Sequence, residues 1–158
     1  MATLKWYGKA FEALATKQIN FTSDTFKLML LKPGYLLDAT KQANHFAVSD
    51  VSPYECAGSA GYTGSASRAT LPALTSQSEA TLVWTARWTM SGNTWTAVTM
   101  SGAGNGFQYV VCFDDSTGGT DATRKLIWII DNAAETIPTA QNIIVTLPAA
   151  GTLQITAA

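Results

Sequence analysis

Two periods of apolar residues follow one another along the chain, a helical one first and a strand-like one after it. In residues 4–18 the large apolar side chains recur every three or four positions, which predicts an amphipathic helix. They are Leu4, Tyr7, Phe11 and Leu14. Gly8 weakens the first turn by about 1 kcal/mol relative to alanine, so that turn is expected to fray or to lie outside the helix. The helix either caps a face or edge of a sheet or forms an arm that docks on a neighbouring subunit.

A first strand region covers residues 19–32, with a short strand start, a polar turn at residues 22–25 and a strand from Phe26 to Leu31 that ends at Pro33-Gly34. Its apolar run, residues 28–31, does not alternate with polar residues, so we expect a central strand that is buried on both faces. From residue 68 to residue 158 short strand-like runs alternate with turn residues, roughly every 8 to 12 positions, as in antiparallel sandwiches. Within residues 82–90 the large apolar side chains share one face, and Gly92-Asn93 predicts a tight hairpin after them.

These patterns predict a mainly β protein, an antiparallel β-sandwich or flattened barrel with one N-terminal α-helix and a long irregular loop. The length of 158 residues suits one domain, residues 1–158, with a core of its own. The long loop covers residues 35–67, with one short helical turn near residues 45–51. Because loops of this length are usually functional or bound to a partner, it is the chief candidate for an interaction. The alternative is a surface loop packed on its own sheet through Phe46 and Tyr54.

Charged residues make up only 13% of the chain, about half the usual share, with 10 basic and 11 acidic side chains. This balance argues against a nucleic-acid partner, which needs a dense excess of Lys and Arg. No apolar run is long enough to predict a membrane span, and the N-terminus lacks the apolar core of a secretory signal. We therefore expect a protein made in a cytosol whose nearly neutral surface packs against other proteins.

Residues 112–131 carry four aspartates around Gly118-Gly119. They are Asp114, Asp115, Asp121 and Asp131. Apolar runs on both sides predict that residues 114–125 connect the two strands of a hairpin, and Asp, Ser, Thr and Gly are favoured in turns. The carboxylates lack the regular offsets of a calcium loop. We predict a polar turn with no metal and no cofactor; a bound cation and a partner contact are the alternatives.

Catalysis is not expected from this sequence. His45 is the only histidine, no serine stands in a GxSxG elbow, and the four glutamates are scattered along the chain. Cys56 and Cys112 lack the spacing of a zinc site. Cys112 is expected to be a small buried hydrophobe, and a disulfide between the two cysteines is the minor alternative.

Five tryptophans are many for this length, and exposed tryptophan is favoured both in sugar-binding sites and at protein interfaces. Trp84, Trp88 and Trp128 lie in apolar runs and are predicted to be core residues. Trp6 and Trp95 are the better surface candidates. The full set of predicted partner-binding residues is Trp6, Tyr7, His45, Phe46, Tyr54, Tyr62 and Trp95.

Three stretches together resemble a family of small virion structural proteins of tailed bacteriophages. They are "KWYGKAFEALATKQINFTSDTFKLMLL", "HFAVSDVSPYECAGSAGYT" and "VVCFDDSTGGTDATRKLIWIID". They are similar in order to the family's helix, first strand, loop and turn, and the resemblance spans most of the chain. The tryptophan-rich "LVWTARWTM" and the ending "LQITAA" depart from the family pattern.

The resemblance implies a capsid decoration or cement protein that binds the major capsid protein on the outside of the phage head, as a homotrimer. It implies no catalytic residue and places the chain in the virion, after synthesis in the host bacterial cytoplasm. The alternative from another class is a tail-tip or fibre module whose exposed Trp and Tyr rings bind a host glycan.

Overall fold

The computed structural model describes residues 2–72, 76–80, 83–87, 94–116, 119–147 and 153–156, with the backbone alone in 76–80, 83–87 and 153–156. The helices are α1 Gly8–Ala15 and α2 Ala39–Asn44. The strands are β1 Thr3–Trp6, β2 Phe26–Leu31, β3 Ala69–Thr70, β4 Ser76–Ala80, β5 Val83–Arg87, β6 Trp95–Val98, β7 Phe107–Asp114, β8 Leu126–Thr136, β9 Gln141–Ile143 and β10 Leu153–Thr156. The fold is mainly antiparallel β and sandwich-like, as the sequence predicts.

The main sheet has five strands in the order β1-β8-β7-β2-β3, and all of its neighbouring strands are antiparallel. β7 and β8 form the predicted hairpin around the aspartate-rich turn. The register shifts between Cys112 and Phe113, opposite Trp128 and Leu126, which marks a bulge in β8. Leu28, Met29, Leu30 and Leu31 of β2 are all fully buried, so the prediction of a strand buried on both faces is confirmed.

Both faces of the sheet bury a core, and the strand period of two divides the residues between them. Leu28, Leu30 and Cys112 belong to a first cluster, whereas Met29 and Val111 belong to a second. The first face is covered by the two-stranded ribbon of β6 and β9, which contributes Trp95, Val98, Ile143 and Val145. The second face is covered by α1 and by part of the segment 35–67, which contribute Tyr7, Ala10, Tyr35, Val48 and Val51.

The N-terminus departs from the predicted helix over residues 4–18, because residues 3–6 form β1 and α1 spans only Gly8–Ala15. β1 pairs with β8 from Thr3 opposite Asp131 to Trp6 opposite Trp128. Gly8 has a packing role that its helix propensity does not reveal. A Cβ on Gly8 would lie 3.0 Å from the carbonyl oxygen of Ala43 in α2, so glycine lets the two helices approach closely.

The segment 35–67 is more ordered than the long irregular loop that the sequence predicts. It contains α2, a second helix that was not expected, and three short 3₁₀ turns at Val48–Asp50, Ser52–Tyr54 and Ser65–Ser67. α2 is missed because its residues carry no apolar stripe; it begins where the Asp38 side chain accepts a hydrogen bond from Lys41 N. The predicted strand from Phe26 to Leu31, after a polar turn, is confirmed as β2, whereas the short strand start expected at residues 19–21 does not form a strand.

A separate three-stranded sheet has the order β10-β5-β4, with both pairs antiparallel. β4 was not predicted, because its sequence, SQSEA, has no alternating apolar residues. The hairpin turn predicted at Gly92-Asn93, the side chain of Trp84 and all of Trp88 lie outside the described residues.

Candidate functional site

In the turn that joins β7 and β8, aspartate carboxylates form ion pairs with basic side chains. Asp115 lies 2.6 Å from Lys27 Nζ and 2.5 Å from Arg124 Nε, and Asp121 lies 2.9 Å from Arg124 Nη1. Asp131 instead accepts hydrogen bonds from Gln108 Nε2 and from the N–H of Ala133. Asp115 and Asp121 of the turn are therefore paired with cations within the chain, whereas Asp131 of β8 is held by amides.

Arg68 is the centre of the ion-pair network, and its side chain is only 5% exposed. It donates two hydrogen bonds to Asp121, at 2.7 and 2.9 Å, and two to Glu55, at 3.0 and 2.8 Å. Its guanidinium also lies 5.2 Å from the ring centre of Phe113. A planar guanidinium can serve two carboxylates at once, so Arg68 ties the segment 35–67 to the turn of the β7–β8 hairpin.

The network changes the proton affinities of its members in opposite directions. Hydrogen bonds from Arg68, followed in size by the opposing effect of burial, hold the pKa of Asp121 below its usual range. Burial alone would lower the pKa of Arg68, but its hydrogen bonds to Asp121 and Glu55 raise it. Both shifts favour the charged forms, so the pair of Arg68 and Asp121 is ionised at neutral pH.

Asp114, at the end of β7, is the buried carboxylate outside these pairs. It is 1% exposed, and its Oδ1 accepts a hydrogen bond of 2.8 Å from Ser116 N. Burial raises the pKa of Asp114, and the hydrogen bonds from Ser116 offset part of that effect. Burial of the ionised Asp114 carboxylate therefore costs free energy.

Among the described residues no group of three or more His, Cys, Asp or Glu side chains is placed to hold a metal ion. Arg68 was not among the residues that the sequence pattern pointed to, because its partners lie 13 and 53 residues away. One sequence signal could have found it: Arg68 is the only charged residue between Glu55 and Glu79. A single charged side chain in an otherwise uncharged stretch needs a charged or hydrogen-bonding partner if it is buried.

Three of the seven predicted partner-binding residues are core residues in the structure. Tyr7 and Tyr62 are fully buried, and Trp95 is 5% exposed. Trp95 packs edge-on against Tyr62 at 5.4 Å between ring centres and donates a hydrogen bond of 2.7 Å to Ser67 O. The prediction of Trp95 as a surface residue is therefore corrected: an indole whose N–H finds a backbone carbonyl can be buried.

Tyr7, His45 and Tyr54 meet around the buried ring of Tyr35 on the second face of the sheet. The Tyr35 hydroxyl lies 3.0 Å from His45 Nδ1 and 3.3 Å from the Tyr7 hydroxyl, and the Tyr54 ring packs edge-on against it. Burial raises the pKa of Tyr35 to about 12. Tyr62 and Trp95 belong to the opposite face, so the predicted residues do not form one surface.

The segment 35–67 packs on its own sheet, which was one of the two alternatives for it. Val48 and Val51 are fully buried, and Val48 N and Ser49 N donate to the carbonyls of Arg124 and Asp121. Phe46 is half-buried and lies under Lys125 Nζ, 3.8 Å from its ring centre. The backbone groups of this stretch thus find partners within the chain.

Trp6 remains a surface candidate and lies in a groove between α1 and α2. The groove has a volume of about 410 Å³ and is lined by Trp6, Gly8, Phe11, Ala39, Gln42 and Ala43. Phe11 is 44% exposed, with its ring centre 5.6 Å from that of Trp6. Gln42 donates a hydrogen bond of 3.0 Å from Nε2 to Trp6 O. We call this feature the aromatic groove.

A second groove of about 420 Å³ lies beside β9, and we call it the β9 groove. Its walls include Val110 and Ile130 of the main sheet and the stretch 141–146. Ile144, on this stretch, is 62% exposed. The lining contains no charged side chain, in contrast to the surroundings of Arg68.

Both cysteines are free and buried. Burial raises the pKa of Cys56 to about 12 and also raises that of Cys112, so neither thiol is a ready nucleophile. In the described part of the chain, none of the helices has the length and apolar character needed to cross a membrane.

Comparisons with known proteins give the chain no relative: neither a family model, nor a curated protein, nor a solved structure matches it.

Proposed function

We propose that the chain is a structural protein of a bacteriophage virion, a decoration protein that binds the major capsid protein on the outer surface of the head and whose copies associate as a homotrimer. The observation that carries the proposal is the division of its surface. The buried cations and carboxylates near Arg68 satisfy one another, whereas aromatic and aliphatic side chains are exposed elsewhere. They are Phe11, Leu36, Ile137 and Ile144.

A surface of this kind suits binding by apolar contact between proteins. Each contact contributes roughly 25 cal/mol per Å² of apolar area removed from water, before the cost of association is subtracted. A decoration protein is present in many copies, and an oligomer engages several sites on the shell at once, which multiplies a modest single contact. The aromatic groove, with the exposed Phe11 ring, is the surface we assign to the capsid.

The test is rebinding of the purified protein to heads of the encoding phage from which its gene has been deleted. We expect saturable binding in a fixed ratio to the major capsid protein. Phe11→Ala should weaken binding, because it removes the exposed ring of the aromatic groove, while Leu36→Ala, an equally apolar change outside that groove, should not. Absence of the polypeptide from purified wild-type particles would contradict the proposal.

A second candidate, a tail-tip or fibre module that binds a host glycan, is favoured by one feature of the same groove. Trp6 and Phe11 present rings beside the amide of Gln42, and sugars bind to aromatic rings flanked by amides and hydroxyls. Glycan-array binding that is lost in Phe11→Ala would favour this candidate. Trp95→Ala is unsuited to the test, since Trp95 is a core residue.

A further inference from the structure

β9 has one edge that is unused within the described chain. On its inner side, Ile143 O accepts a hydrogen bond from Thr94 N, and Val145 N donates to Thr94 Oγ1. β9 ends at Ile143, but the alternation of buried and exposed side chains continues to Leu147. In a chain extended in this way the backbone groups of Asn142, Ile144 and Thr146 are directed to the other side. Among the described residues, no hydrogen bond reaches the backbone of Ile144 or Thr146.

The side chains along this stretch follow the same alternation. Ile143 and Val145 are 8% and 5% exposed, whereas Ile144 is 62% exposed and its neighbours Asn142 and Thr146 are also exposed. The chain has no charged residue from Thr136 to Ala158. The edge therefore lacks the lysines or other charges by which proteins protect a free strand edge from pairing.

An edge of the main sheet, formed by β1, is built differently. β1 carries Lys5 at its centre, and the Gln42 side chain donates to the carbonyl oxygen of Trp6. A charge and a side chain that occupies an edge carbonyl are both devices against strand addition. Unlike β1, the β9 edge carries neither of these protections among the described residues.

The sequence at the edge is complementary to itself in the antiparallel direction. Around Ile144 the pattern is polar, apolar, apolar, apolar, polar from Asn142 to Thr146, so the same stretch of a second copy matches it when reversed. The neutral lining of the β9 groove adds no charge that would repel an identical partner.

We infer that β9 and the residues after it pair antiparallel with the same stretch of a second copy of this chain, across a twofold axis at Ile144. Because a twofold contact cannot lie within a ring of three copies, in the proposed homotrimer it joins one copy of one trimer to one copy of another. In this register Ile144 lies opposite Ile144 of the other copy, and Asn142 lies opposite Thr146. The pairing joins two β6–β9 ribbons into one four-stranded sheet and covers the exposed Ile144 side chains.

A crosslinking experiment tests the register. Ile144→Cys and, as a matched control on the same strand, Asn142→Cys are each treated with a short bismaleimide reagent. Opposite residues at the axis lie about 5.5 Å apart between Cα atoms. The two Asn142 positions are offset by four residues, or about 13 Å along the strand. We expect a covalent dimer from Ile144→Cys and far less from Asn142→Cys, while the native thiols stay buried. Equal yields would overturn the register.

The association itself is measured on the full chain by analytical ultracentrifugation. Ile144→Lys places two like charges opposite each other and should weaken dimerisation by about tenfold or more. Leu36→Lys, which introduces the same charge at another exposed apolar position, should leave it unchanged. A chain that remains a monomer or an isolated trimer at all accessible concentrations, or a pairing that Ile144→Lys does not weaken, would overturn the inference. Unchanged circular dichroism shows that Ile144→Lys has folded.

Discussion

The region around Arg68 and the strand edge at Ile144 differ in their charge and in their exposure to water. At Arg68, charged side chains from distant parts of the chain are brought together and largely removed from water. At Ile144, a strand edge and an isoleucine remain open, and no charged residue occurs in the last part of the sequence, from Thr136 onward. The charged groups around Arg68 pair within the chain, and the uncharged edge at Ile144 is the surface that we propose for a second copy.

The difference predicts how salt affects the stability and the self-association of this protein. Buried or partly buried ion pairs are little screened by salt, and an apolar edge has no ion pairs to screen. We therefore expect single changes at the Arg68 network to alter stability, and changes at the β9 edge to alter the proposed self-association, with little dependence of either on salt.

The largest effect is expected from Arg68→Met. The substitution keeps the long apolar stem but leaves Glu55 and Asp121 without their principal cation, and breaking a buried ion pair in this way costs about 3–5 kcal/mol. Urea unfolding followed by tryptophan fluorescence measures the loss. Combining it with Glu55→Gln and Asp121→Asn should recover part of the stability, since no buried charge is then left unpaired. A loss below about 1 kcal/mol in the single variant would show that the network is only a surface feature.

Tyr62→Phe should cost about 1–3 kcal/mol, because it removes a buried hydroxyl with two partners. This hydroxyl accepts a hydrogen bond from Leu30 N at 3.0 Å and donates one to Glu55 at 2.7 Å. The matched control is Tyr54→Phe, since the Tyr54 hydroxyl makes no hydrogen bond among the described residues. Equal unfolding free energies for the two variants would contradict the role of Tyr62.

Acid should weaken the fold through Asp121. Its pKa is lowered in the folded state, so its contribution is fully present above the unfolded pKa of about 4 and is lost as pH falls through the folded pKa. The free energy of unfolding of the wild type should fall below that pH, and more steeply than that of Asp121→Asn. Parallel pH profiles for the two proteins would show that Arg68 does not shift this group.

Asp114→Asn should have the smallest effect and the opposite sign. The folded pKa of Asp114 is raised, so ionisation costs stability as pH rises through it. The amide oxygen can still accept the hydrogen bond from Ser116 N, while the buried charge is removed. We expect a gain of a few tenths to about 1 kcal/mol at neutral pH that disappears in acid. Destabilisation at neutral pH would mean that the ionised carboxylate is needed.

The sequence predicts the elements whose own residues decide their structure. The runs of β2, β7 and β8 are apolar enough to be buried, and Asp, Ser, Thr and Gly between β7 and β8 favour a turn. β1 escapes prediction because Leu4 fits a helical spacing, and only pairing with β8 makes residues 3–6 a strand. The Arg68 network escapes for the same reason, since its members meet only in the folded chain.

Of the two tryptophans predicted at the surface, Trp6 is partly exposed in the structure, whereas Trp95 is buried. Apolarity alone does not separate the two rings. Trp95 is buried because the β6–β9 ribbon packs it onto the main sheet and Ser67 O receives its indole N–H. The β9 edge was not predicted as a surface either, since an open edge depends on which strands pair.

The central claim, that copies of this chain meet through an uncharged edge while its charges act within the fold, is tested most directly by the salt dependence of self-association. The dissociation constant of the full chain is measured by analytical ultracentrifugation at NaCl concentrations from about 0.1 M to about 1 M, a range over which surface ion pairs are strongly screened. We predict that it stays constant or tightens slightly, as apolar contacts do. A weakening of tenfold or more would show that ion pairs join the copies, and would contradict the account.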